Sequence, residues 1–103
     1  MPAIERTCPA DHPAAQGHFP GNPIIPGAVM LCDTLQAIGA HLGMNLMPCR
    51  IRSAKFLHPT RPGDRVFIEF SGTPHGGLRF SCMVDGTPVL TANVECHARW
   101  TAD

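Results

Sequence analysis

The chain has 103 residues, enough for one small domain over residues 1–103. Eight basic and eight acidic residues cancel, which excludes the basic footprint of a nucleic-acid binder, and no apolar run approaches the length of a membrane-spanning helix. Hydrophobic residues at 44% against 16% charged fit a globular chain whose surface is partly covered by another chain.

In chain order, a short strand is expected over residues 4–8. Glu5 and Arg6, with no apolar stretch around them, argue against a secretory signal. The five cysteines, Cys8, Cys32, Cys49, Cys82 and Cys96, are odd in number and irregular in spacing. Free thiols in a reducing cytoplasm are therefore expected. The segment Gly17-His18-Phe19-Pro20-Gly21-Asn22-Pro23-Ile24-Ile25-Pro26-Gly27 holds three prolines, which fix φ and restrict the residue before each. It is predicted to be a stiff loop of the kind that carries function.

Residues 28–42 are apolar nearly all round, which predicts a buried helix. Pro26 and Gly27 sit at its start and Gly43 at its stop. Four strands are then expected over residues 50–58, 65–70, 78–84 and 89–100. The first ends in a Pro/Gly turn at residues 59–63, and Asp85-Gly86 is a two-residue hairpin signal. In the last strand Leu90, Ala92, Val94, Cys96, Ala98 and Trp100 alternate with Thr91, Asn93, Glu95, His97 and Arg99. One buried helix followed by antiparallel strands is most simply satisfied by a curved sheet wrapped around the helix.

The loop at residues 17–27 resembles the signature of the FabA/FabZ-type 3-hydroxyacyl-thioester dehydratases. A second block, Ala54-Lys55-Phe56-Leu57-His58-Pro59-Thr60-Arg61-Pro62-Gly63-Asp64, is similar to the strand and Pro-Gly-Asp turn of the same family, in the same order and spacing. The resemblance runs from about His12 to Arg99. It implies an α+β hot-dog fold, usually dimeric, with active sites at the subunit interface. It also implies substrates carried on the phosphopantetheine of acyl carrier protein or on coenzyme A, and no metal or redox cofactor. The product would be a trans-2-enoyl thioester, made for fatty-acid or specialised lipid or polyketide-like synthesis.

Dehydration of a 3-hydroxyacyl thioester needs a base for the α-proton, stabilisation of the thioester oxygen and protonation of the leaving hydroxyl. Imidazole titrates near neutral pH, and the resemblance makes His18 the catalytic histidine. Free N–H groups at Gly27 and Ala28 suit the oxyanion, because a helix start presents donors and a positive dipole end. The family places an acid on the helix five residues after the glycine. Here that position is Cys32, Asp33 follows it about 100° round the helix, and Gln36 matches the family glutamine. Either Asp33 reaches the site, or Cys32 occupies the acid position and the activity is altered. A thiol donates a proton weakly, and cysteine is equally suited to filling core space. Phe19, Ile24, Ile25 and Phe56 suit either an acyl tunnel or plain core packing.

Other constellations are weak. No C-x-x-C or H-x-x-x-H pair occurs, so no metal site is expected. Arg50, Arg52 and Lys55 form a basic stretch that is either solvated or in contact with an acidic carrier. Two rival functions stay open on the same fold: an acyl-thioesterase, and a non-catalytic carrier-binding half of a heterodimer.

Overall fold

The computed structural model describes residues 3–8, 25–46, 48–74 and 76–96. Its elements are β1 (Ala3–Thr7), α1 (Gly27–Leu42), β2 (Cys49–Phe56), β3 (Arg65–Gly72), β4 (Gly77–Val84) and β5 (Thr87–Cys96). The strands form one antiparallel sheet in the order β1-β3-β4-β5-β2, which leaves β1 and β2 as edges. The helix packs on one face of this sheet in the hot-dog arrangement.

Strand alternation decides the face. Val66, Ile68 and Phe70 of β3, Leu78, Phe80 and Cys82 of β4, and Leu90, Ala92 and Val94 of β5 are all buried. Phe67 and Arg79, one residue out of phase, point away and are exposed. The β4–β5 hairpin turns at Asp85 (φ 51°) and Gly86 (φ 77°), two left-handed residues in succession, as a type I′ turn requires. The predicted strand ends shift slightly. β2 stops at Phe56 because Pro59 offers no N–H to extend the ladder, although Leu57 still donates to Val89 O at 2.9 Å. The proposed extension of β5 over residues 97–100 lies outside the described residues.

The helix ends where expected. Gly43 takes φ 71°, and the N–H groups of Gly43 and Met44 close on Ala40 O and Gly39 O. The helix is not buried all round, however. Met30, Leu31, Thr34, Leu35, Ile38 and Gly39 face the sheet, while Ala28, Cys32, Gln36 and Ala40, spaced four apart, form an exposed stripe. One sheet covers one side of a helix, and the small residues of this stripe left the periodicity hard to see. Thr34, buried at the contact, satisfies its hydroxyl by donating to Met30 O at 2.8 Å and lies 3.5 Å from Cys82 Sγ. No helix among the described residues is long and apolar enough to cross a membrane.

A candidate active-site cleft at the helix start

Pro26 caps the helix with φ −55° and ψ 142°, and Met30 N–H makes the first helical bond, to Pro26 O at 3.0 Å. The N–H groups of Gly27, Ala28 and Val29 precede that bond, and among the described residues no side-chain cap bonds them. They are donors available to an incoming anionic oxygen. Beside them opens a cleft of about 220 Å³ lined by Ile25, Gly27 and Met30 from the helix side and by Phe56, His58 and Thr60 from the end of β2 and its turn. Gly27 is tight against this wall. A Cβ there would lie 2.8 Å from the Phe56 ring.

The Pro-Gly-Asp turn after β2 braces the cleft. Arg61 N–H donates to Asp64 Oδ2 at 2.8 Å, Asp64 N–H donates to Arg61 O at 3.1 Å, and Gly63 takes φ 91°. The same turn holds two distant points of the chain. Ile25 N–H donates to Thr60 O at 2.7 Å, while Cys8 exchanges bonds with Asp64 O and Gly63 N–H, each at 2.8 Å. Cys8 and Ile25 are the described residues that flank the segment carrying His18. The predicted site residues His18, Phe19 and Ile24 themselves lie outside the described residues.

The remaining predicted residues fall in three places. Gly27, Ile25 and Phe56 meet at the cleft, with Ile25 buried and Phe56 half-exposed. Ala28, Cys32 and Gln36 lie on the exposed stripe of the helix. Asp33 is turned toward β1: its main-chain oxygen accepts from Arg6 Nη1 at 2.9 Å, and it shares a small pocket with Arg6, Cys8, Met30 and Thr34. The Cys8 thiol is held above its ordinary pKa, first by burial and next by the negative charge of Asp33, so that carboxylate lies toward Cys8. The helix is continuous through both residues.

Sequence reasoning missed Met30, His58 and Thr60 as cleft residues and missed the double anchoring by the turn. The Pro-Gly-Asp motif signalled a turn, but backbone bonds to it carry no side-chain signature. A larger groove of about 540 Å³ runs over the opposite face of the sheet, along Arg52, Ser53, Arg79, Asn93 and Glu95. There Arg52 pairs with Glu95, and Arg79 and Ser53 both bond to Asn93. Its size does not make it the reaction centre, since among the described residues it holds no histidine and no helix end. Among the described residues no group of three or more His, Cys, Asp or Glu is placed to hold a metal.

The profile of the ApeI-like family, described as ApeI dehydratase, matches residues 2–93. This chain belongs to the ApeI-like dehydratase family. It is also 35% identical over 99 residues to the 3-hydroxyacyl-[acyl-carrier-protein] dehydratase FabZ of Klebsiella pneumoniae. That match covers 84% of this chain and 66% of the FabZ chain, so the ApeI-like chain spans just under two-thirds of its relative's length. Among solved structures, the dehydratase heterocomplex ApeI:P from Xenorhabdus doucetiae superposes with a TM-score of 0.73 at 19% identity, covering 92% of this chain and 86% of that one. A putative thioesterase from Novosphingobium aromaticivorans superposes with a TM-score of 0.70 at 18% identity, covering 98% and 39%. These superpositions establish the hot-dog fold. They do not choose between dehydration and hydrolysis, since chains named for each share it.

Proposed function

We propose that this chain is a 3-hydroxyacyl-thioester dehydratase that forms a trans-2-enoyl thioester. Membership of a dehydratase family carries this reading, and the cleft at the start of the helix supports it. His18 takes the α-proton and then returns a proton to the departing hydroxyl. The Gly27 amide holds the thioester oxygen as it gains charge, at the positive end of the helix. The acyl chain runs along Phe19, Ile24, Ile25 and Phe56, and the thioester is carried by acyl carrier protein or coenzyme A. The step needs no metal or redox cofactor.

Cys32 rather than Asp33 takes the family's acid position. Its place on the exposed stripe with Ala28 and Gln36 supports this, as does the turn of Asp33 toward Arg6 and Cys8. That stripe faces a second subunit in a homodimer or higher assembly, working in the cytoplasm. The free edge of β2, with Ile51, Phe56 and Leu57 exposed, supports an assembly built along that side. Cys32 also favours a second reading. A partner chain with a carboxylate at this helix position would complete the site, as a heterodimer in the manner that the name ApeI:P records for its own chains.

The test is to incubate the protein with a 3-hydroxyacyl-carrier thioester and follow the conjugated enoyl product. The wild type is expected to form it, and His18→Ala to lose about 10²–10⁴-fold in rate, the usual contribution of a positioned acid–base residue. A His18→Ala variant as fast as the wild type would remove His18 from the mechanism.

A further inference from the structure

Two of the five cysteines meet across the sheet. Cys49 opens β2, Cys96 lies at the end of β5, and the two are directly opposed in the antiparallel register. Opposed antiparallel residues have Cα atoms about 4.5 or 5.5 Å apart, and both separations fall inside the span a disulfide bridges. The sulfurs are already 3.1 Å apart, closer than ordinary contact between them. Both residues are half-buried at the margin of the core.

The hydrogen bonds give the two thiols different roles. Cys49 Sγ lies 2.8 Å from Leu46 O and donates to it, which leaves the short sulfur contact to the Cys96 S–H. Burial first, and then donation to Cys49, push the Cys96 thiol up to about 12. Cys96 therefore stays protonated at neutral pH.

We propose that Cys49 and Cys96 are a reversible redox pair, oxidised by a peroxide to a disulfide that clamps the edge strand β2 to β5. The Cys49 thiolate attacks one oxygen of hydrogen peroxide, the O–O bond breaks, and water leaves after one proton transfer. The resulting sulfenic acid is then attacked by Cys96 sulfur. An S–S bond forms, the Cys49 S–O bond breaks, and the Cys96 proton departs with the hydroxyl as a second water. In sum two thiols and one peroxide give one disulfide and two waters, and a dithiol reductant reverses it by exchange. Within the described sheet β2 is held by β5 alone, and its far end carries Phe56 of the cleft wall. The clamp joins residues 47 apart in sequence, and closing so long a loop restricts the unfolded chain strongly.

The experiment treats the reduced protein with hydrogen peroxide, blocks remaining thiols, and maps peptides without reduction, alongside thermal melts. The expected result is a cross-linked peptide joining Cys49 and Cys96 and a Tm higher by about 5–15 °C. Dithiothreitol should reverse both. Cys49→Ser and Cys96→Ser should each lose the cross-link and the Tm rise, whereas Cys32→Ser should keep both. The near-isosteric serine preserves packing, and Cys49→Ala provides a second variant. If peroxide modifies Cys32 while Cys49 and Cys96 stay open to alkylation, the pair is not a redox site.

Discussion

A single hydrogen at Gly27 keeps the cleft open. Any Cβ there meets the Phe56 ring at 2.8 Å, and because Phe56 is half-exposed the ring would swing rather than the backbone yield. Gly27→Ala is expected to lower kcat/KM by about 10–100-fold, the cost of displacing a positioned substrate. Adding Gly27→Ala to Phe56→Ala should then cost little more than Phe56→Ala alone, since the shared clash is gone. Steady-state kinetics of the three variants check this; full additivity would place the defect elsewhere. Cys32 carries the second prediction at this scale. Cys32→Glu restores a carboxylate at the family position on the exposed stripe and is expected to raise the dehydration rate by at least about tenfold, whereas Asp33→Asn should change it little. Rates of enoyl formation for the two variants decide between them. The opposite pattern would make Asp33 the acid. The motif loop up to Ile24 lies outside the described residues, and the placing of Cys32 at the family's acid position is a reading of the sequence alone. The surroundings of Asp33 were not legible, because they include Arg6, which bonds its main-chain oxygen from 27 positions away on an edge strand.

Elements were legible where one periodicity ruled. β3, β4 and β5 alternate cleanly, and their inward residues are those expected. The helix was placed correctly but its exposed side was not, since Ala28, Cys32 and Ala40 suit core and surface alike. Contacts between elements were the least legible. The Cys49–Cys96 register follows an irregularity between Ile51 and Ser53 that no local pattern announces. The turn at residues 60–64 was recognised, while its hold on Cys8 and Ile25 runs through main-chain atoms. Asp64 is thereby part of the brace that holds Cys8 and Ile25. Asp64→Ala removes the acceptor of the Arg61 N–H, and kcat is expected to fall about tenfold or more. Asp64→Asn keeps an acceptor oxygen and should recover most of the loss. The comparison of kcat, KM and Tm for the two variants separates positioning from stability: a Tm loss with unchanged kcat would make the turn purely structural.

Over the whole molecule, folding protects thiols from ionising, and this sets an alkaline limit. Burial raises Cys82 from 9.0 to about 11, and Cys8 and Cys96 are raised in the same direction. Between these values the unfolded chain has lost the proton and the folded chain has kept it. The stabilisation is therefore fully present below pH 9 and is lost as pH rises toward 11. Cys82 alone should contribute a fall of about 3 kcal/mol over that window, a large share of the stability of a small domain. Denaturant unfolding at a series of pH values checks it. Cys82→Ala should start less stable and show a shallower decline, and an unchanged slope would refute the role of Cys82. The function of the molecule rests on a narrower claim, that the cleft at the start of α1 removes water from a 3-hydroxyacyl thioester. Mass spectrometry of the carrier-bound product tests it most directly, because dehydration and hydrolysis leave different masses on the carrier. The expected product is an enoyl thioester lighter than the substrate by one water, with the acyl chain still attached, and it is lost in His18→Ala. A bare carrier thiol with free hydroxy acid in solution would contradict it and make the chain a thioesterase.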